Sequence, residues 1–194
     1  LLEAEVACLI NVGSNYLVEG DISRRWGNAH PSIVPYQSFK TEDGYLVIGV
    51  ASEGIWRRFC QAIGRAEWAD DSRFEKNSNR VENRSLLIGL LAEIFLSRST
   101  GEWLKLLNSA EVPCAPVQTV DQVFKAPQVL HREMLIQVEH PTAGTVRMAG
   151  IPVKFSLTPA SVRLPPPLLG QHNEEVLESW LGIDDKEISE LKRK

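Results

Sequence analysis

The residues of this 194-residue chain best suited to chemistry lie together in one stretch, Arg24-Arg25-Trp26-Gly27-Asn28-Ala29-His30-Pro31. Two arginines offer forked donors to a phosphate or carboxylate. Glycine and asparagine let a backbone approach a ligand closely, and Trp26 and His30 can wall a pocket. An interdomain linker with solvated arginines has the same composition, and the residues alone leave both readings open. Elsewhere each candidate has a structural role that accounts for it. His140 before Pro141 falls in a hairpin loop, His172 after Leu169-Gly170-Gln171 at a helix start, and His131 at the end of a short helix. Asp43 precedes Gly44 and reads as a turn residue. Asp70-Asp71, Asp121 and Asp184-Asp185 stand at helix starts, where carboxylates suit the dipole. Asp21 has no acid or base near it in sequence. Cys114 sits between Pro113 and Pro116 with nothing local to lower its thiol pKa. No G-x-S-x-G elbow, P-loop, H-E-x-x-H or dinucleotide fingerprint is present. No residue of the chain is assigned as a catalytic nucleophile.

The elements around the stretch follow from periodicity. Leu2, Val6, Leu9, Ile10, Gly13 and Leu17 recur at helical spacing and predict one helix over 1–18. Residues 19–35 read as a long loop. Tyr36 to Lys40 and Tyr45 to Val50 follow a period of two across Glu42-Asp43-Gly44, which predicts a hairpin with a type I′ turn. Ser52 caps a helix through Ile55, Trp56, Phe59, Cys60 and Ile63 that stops at Gly64. A long helix is predicted over 80–95, and Ser99-Thr100-Gly101-Glu102 is a capping box for the next. Val112-Pro113-Cys114-Ala115-Pro116-Val117 must be extended, because its prolines exclude a helix or a central strand. A short helix around Val120 to Phe124 closes at Pro127. Strands are expected at Leu135 to Glu139 and Gly144 to Met148, a proline-rich linker at 152–167, and two closing helices. The last begins at Asp184 and ends in Lys192, Arg193 and Lys194, where the helix dipole favours cations.

Bulk properties narrow the function classes. The 21 basic and 25 acidic residues give a net charge of −4 without a basic stripe, which argues against nucleic acid as a partner. No apolar run reaches the length of a membrane span. Cys8, Cys60 and Cys114 are too few and too scattered for a disulfide framework or zinc site, and they fit a reducing compartment. The chain opens inside a helix, without Met and without the basic n-region of a signal peptide, so it is expected to be a fragment.

Several segments, taken in order, resemble one known family. Gly27-Asn28-Ala29-His30-Pro31, Pro35-Tyr36, Phe39 and Asp43-Gly44-Tyr45-Leu46 are similar to the start of the small domain of class III CoA-transferases. That group includes formyl-CoA, carnitine and glutarate CoA-transferases and α-methylacyl-CoA racemase. Trp56 with Phe59-Cys60, then Arg80, Asn83 and Arg84, resemble its next helices. Val112 to Val117 resembles its V-P-x-x-P-V segment. Pro127-Gln128-Val129-Leu130, His140-Pro141 with Gly144, and Pro165 to His172 continue the match, the first and last most like the glutarate or succinate branch.

The resemblance implies an α/β protein: an α+β small domain flanked by helices that belong to a Rossmann-like large domain, in an interlocked homodimer. Along this chain it implies a large-domain helix at 1–18, a linker and active-site-bordering loop at 19–35, and a small domain at 36–150. A proline-rich return linker at 151–171 and C-terminal docking helices at 172–194 complete it. It implies CoA transfer between short carboxylic acids through an aspartyl mixed anhydride and a thioester, with the nucleophilic aspartate upstream of this chain. Coenzyme A is then a substrate, and no cofactor is covalently bound. Gly27, Asn28, Ala29, His30 and Pro31 take the place of a loop that covers the intermediate, with His30-Pro31-Ser32 where some members carry glycines. Racemase activity in the same family, or a truncated non-catalytic module that dimerises, are the alternatives. The expected partners are an acyl-CoA and a small carboxylic acid, without nucleic acid or membrane. The expected location is the cytoplasm, or the mitochondrion or peroxisome in a eukaryote.

Overall fold

The computed structural model describes residues 1–193; Lys194, expected at the cationic end of the last helix, lies outside the described residues. Mixed helices and two small antiparallel sheets divide into two compact units, Leu1–Val117 and the residues from Gln118 onward.

The first unit begins with α1 (Leu2–Cys8) and α2 (Ile10–Glu19) rather than one continuous helix. The break falls at Ile10, whose φ of +32° is strained for a β-branched residue and interrupts the helical repeat. Gly20, at φ +74°, caps α2 in the left-handed conformation. Neither helix buries a residue: Leu2, Val6, Leu9, Ile10, Leu17 and Val18 are all exposed.

Strands β1 (Tyr36–Lys40) and β2 (Tyr45–Gly49) form the expected hairpin, in register from Tyr36 opposite Gly49 to Lys40 opposite Tyr45. The connection differs from expectation. It has four residues, Thr41 to Gly44, and Gly44 is not at positive φ, so this is no type I′ turn. Asp43 has a longer-range task. Its Oδ1 accepts from the Thr100 backbone N–H (2.7 Å) and Oγ1 (2.8 Å), which ties the hairpin to the start of helix α6 (Thr100–Ser109). Thr41, fully buried, adds an Oγ1 contact of 2.6 Å to the Thr100 hydroxyl. These bonds to Thr100 hold the Asp43 carboxyl below the usual carboxylate range. A depressed folded pKa stabilises the fold above the ordinary value of about 3.9, and that contribution vanishes as pH falls through the folded value. Asp43→Ala is therefore expected to lower the thermal midpoint at pH 7, with the gap from wild type closing in acid. A gap that persisted unchanged into strong acid would assign the loss to something other than this charge.

The core lies between the hairpin and the helices. Leu46 and Ile48 of β2 point inward while Tyr45 is exposed. Helix α3 (Glu53–Ala62) starts where Ser52 Oγ accepts from Ile55 N, and it buries Trp56, Phe59 and Cys60. The stretch predicted as one helix over 80–95 is two: α4 (Asn77–Glu82) and α5 (Arg84–Phe95), separated at Asn83. The Asn83 side-chain amide donates to Asn79 O and Arg73 O, a local alternative to helix continuation. Phe95 is the hub, with its ring 4.9 Å from Phe39 and 5.0 Å from Trp103. The Ser99–Glu102 capping box sets the start of α6 as expected.

The proline-flanked segment enters the sheet at its margin as β3 (Cys114–Pro116), antiparallel to β2. Gly49 N donates to Pro113 O and Val117 N to Tyr45 O, so residues 113, 115 and 117 face β2 while 114 and 116 face away. Pro116 thus lacks its N–H where no ladder bond was required.

In the second unit, α7 (Val120–Val123) has a Thr119–Gln122 capping box, and α8 (Pro127–His131) carries proline at its first position. Strands β4 (Leu135–His140) and β5 (Gly144–Ala149) pair as a hairpin. His140 Nδ1 accepts from the Thr142 and Ala143 amides, the turn role expected of it. Helices α9 (Asn173–Leu181) and α10 (Asp185–Leu191) follow, the first stopped by Gly182 at φ +66° and the second capped by Asp184 on Glu187 N. Val176, Trp180 and Leu181 of α9 are exposed. No described helix is long and apolar enough to cross a membrane.

Candidate functional site

The loop from Ser23 to Val34 is held on the first unit by polar bonds, most of them to backbone. Asn28 and Ser38 pair reciprocally: Asn28 Nδ2 donates to Ser38 Oγ (2.7 Å) and Ser38 N donates to Asn28 Oδ1 (3.1 Å). His30 N donates to Tyr36 O at 2.9 Å, and the imidazole stacks on the Tyr36 ring with 5.5 Å between centroids. Arg84 Nη2 donates to Pro31 O (2.6 Å), and Asn77 bridges Ser32 O and Val34 N. Gly27 has φ +64°, which explains glycine there, and a Cβ at that position would meet nothing within 4 Å. Its requirement is conformational; a close approach by other parts of the chain plays no part.

His30 Nδ1 accepts from Ser32 N at 3.0 Å. In the neutral ring this places the proton on Nε2, which becomes a donor. The half-buried ring therefore combines a fixed orientation with one donor not used by the turn.

The exit of the loop rests on Arg80, which is fully buried. Its Nε donates to Val34 O (2.7 Å), and its Nη1 donates to Phe74 O (2.8 Å), Glu75 O (3.3 Å) and Glu53 Oε2 (2.8 Å). The guanidinium also lies 4.7 Å from the Trp56 ring centroid. Its partners Val34 and Glu53 lie far from it in sequence, so nothing in the local sequence marks it as a core cross-link.

Trp26 collects two other arginines. Arg24 Cζ lies 4.0 Å and Arg84 Cζ 4.8 Å from its ring centroid. Sequence reasoning grouped Arg24 with Arg25; the structure instead brings Arg84, from the start of α5, beside Arg24. Burial, and then the charge of Arg24, lower the Arg84 pKa.

The other candidates are occupied structurally. Burial pushes the Cys60 thiol up to about 12. Burial also raises Cys114, whose Sγ lies 3.4 Å from Asn108 Oδ1, so neither thiol favours the nucleophilic thiolate. Asp71 is held to about 2 by hydrogen bonds from Arg73. Asp121 accepts from Thr119 and Lys125, His172 contacts Glu175, and Asp184 caps α10. Among the described residues no cluster of three or more His, Cys, Asp or Glu could hold a metal.

The model of CoA-transferase family III matches residues 1–173. A human succinyl-CoA:glutarate CoA-transferase is 42% identical over 98% of this chain and 44% of its own length. A succinate–glutarate CoA-transferase of Agrobacterium fabrum is 32% identical over 91% of this chain, again 44% of its own length. The crystal structure of a CAIB/BAIF family protein from Brucella suis superposes on 88% of the chain with a TM-score of 0.75 and 34% identity, covering 44% of that protein. The chain thus spans less than half the length of the relatives it matches.

Proposed function

This chain belongs to CoA-transferase family III, and from that premise we propose that it is the C-terminal half of an acyl-CoA:carboxylate CoA-transferase acting on short dicarboxylic acids such as succinate and glutarate. One observation carries the reading: the chain aligns almost end to end with glutarate transferases more than twice as long. The aspartyl nucleophile belongs to the upstream half. It attacks the thioester carbonyl of acyl-CoA, giving an acyl-aspartyl anhydride and CoA thiolate. The thiolate attacks the aspartyl carbonyl and expels the first acid, leaving an aspartyl-CoA thioester. The acceptor carboxylate attacks that thioester, the released thiolate takes up the new acyl group, and the aspartate is restored. Each step exchanges one carbonyl substituent, which divides a difficult transfer into easier ones.

In this assembly α1 and α2 and the two closing helices pack on a Rossmann-like domain, residues 36–150 form the small domain, and two subunits interlock. Three free thiols suit a reducing compartment: cytoplasmic, or mitochondrial or peroxisomal in a eukaryote. Gly27, Asn28, Ala29, His30 and Pro31 border the acyl pocket, where His30 Nε2 can donate to a carbonyl or carboxylate oxygen.

Two measurements test this. The complete protein, incubated with succinyl-CoA and quenched with hydroxylamine, is expected to yield an adduct on an upstream aspartate and none on the residues of this chain. An adduct mapped to any of these residues refutes the assignment of the nucleophile. His30→Ala in the complete protein is expected to lower kcat/KM about tenfold, the size of one lost hydrogen bond of ~1.4 kcal/mol, with the thermal midpoint nearly unchanged. Activity and stability falling in proportion would make His30 a structural residue instead. Gly27 is a poorer test, because any β-branched residue there is strained by its positive φ.

A further inference from the structure

The pairing of Arg24 with Arg84 across Trp26 goes beyond the acyl-pocket assignment. Both guanidiniums lie on one indole ring, and among the described residues neither has a carboxylate within salt-bridge distance. Of the other arginines set over a ring, Arg80 is paired with Glu53 and Arg73 with Asp71, while Arg98 stands singly over Trp103. Two like charges held on one ring, one of them partly withdrawn from water, repel each other, and an anion bound between them relieves that repulsion. Trp26 is itself anchored, its Nε1 donating to Ser23 Oγ at 3.1 Å. Arg84 is fixed by its bond to Pro31 O, with the rest of its donor fork beyond that bond. The platform is therefore oriented before a ligand arrives.

We propose that Arg24 and Arg84, braced on Trp26, form an oxyanion-binding site beside the Gly27–Pro31 loop. The two guanidinium forks match the paired oxygens of a carboxylate or the face of a phosphate. The identity of the anion rests on the reading of the chain as part of a CoA-transferase: it is the remote carboxylate of a dicarboxylic acyl group or acceptor, or a phosphate of CoA. The site itself does not depend on that reading.

The test uses the complete protein with succinyl-CoA as donor and either glutarate or pentanoate as acceptor, acids of equal chain length that differ by one carboxylate. A remote-carboxylate site predicts that Arg24→Gln raises the KM for glutarate at least tenfold and leaves that for pentanoate within twofold. A phosphate site predicts a raised KM for succinyl-CoA with either acceptor, with the KM values for glutarate and pentanoate both within twofold of wild type. Arg84→Gln should repeat the pattern, and Arg84→Lys should recover part of it. Loss confined to kcat and equal for both acceptors, or no change in any KM, overturns the site. If the wild type transfers CoA to no carboxylate, the functional reading fails, and the site is judged by arginine labelling with phenylglyoxal. Glutarate or inorganic phosphate should slow labelling of Arg24 and Arg84 relative to Arg25. Equal labelling of all three with and without either anion overturns it.

Discussion

Arg80→Ala is expected to destabilise the first unit by about 3–5 kcal/mol, the range for removing one member of a buried charged network. The ion pair with Glu53 is the smaller part, because the Glu53 side chain is 51% exposed and its charge is shared with water. The larger part comes from three backbone carbonyls, at Val34, Phe74 and Glu75, whose donor disappears. The bonds to Val34 O and Phe74 O are buried, that to Glu75 O only partly, and a buried carbonyl left without a donor costs about 1–3 kcal/mol. Glu53→Gln should therefore cost under about 1 kcal/mol, although it also weakens the bond from Asn77 N to Glu53 Oε1. Urea unfolding of both variants separates the two contributions. If Arg80→Ala were no worse than Glu53→Gln, the carbonyl bonds would be incidental and the ion pair the stabilising contact. Because Val34 ends the loop that starts at Ser23, Arg80→Ala should also raise proteolytic cleavage between those two residues.

The second large effect concerns assembly. The chain by itself is expected to self-associate at micromolar concentration and to bind hydrophobic dyes, whereas the complete protein should be dye-silent. Every residue of α1 and α2 is at least partly exposed, with Leu17 and Val18 each 82% accessible, and Trp180 of α9 is 81% accessible. Burying one large aliphatic side chain contributes about 1.5–3 kcal/mol. Several such groups left in water are comparable with a small domain's net stability of about 5–15 kcal/mol. Leu17→Asp and Trp180→Asp should make the isolated chain more monomeric and the complete protein less stable. A compact, dye-silent monomer of the isolated chain in sedimentation equilibrium would refute this.

Features whose cause is local were legible in the sequence. The hairpin strands, the Ser52 and Asp184 caps, the Ser99–Glu102 box and the stop at Gly64 each depend on residues a few positions apart. What periodicity could not show was interruption. The apolar repeat runs on through Leu9 and through Asn83, yet backbone geometry at Ile10 and side-chain bonds at Asn83 divide both helices. Long-range partners were equally hidden. Asp43 satisfied its turn by composition, and only the fold reveals Thr100 above it. Arg84 is far from Arg24 in sequence, and only the fold brings both onto Trp26. The structure divides the stretch at 24–31: Asn28 and the Pro31 carbonyl anchor it, while His30 Nε2 and the arginines keep unused donors.

The register of β3 bears on how such a chain escapes aggregation. The outward rim of the three-stranded sheet on that side offers the N–H of Cys114 but none at Pro116, because the ring nitrogen has no hydrogen to give. A strand from another molecule would find one donor where a regular edge presents two, so templated cross-β growth is disfavoured there. Association of the isolated chain is thus left to the exposed side chains of its helices, because the β3 rim adds no regular strand edge to it.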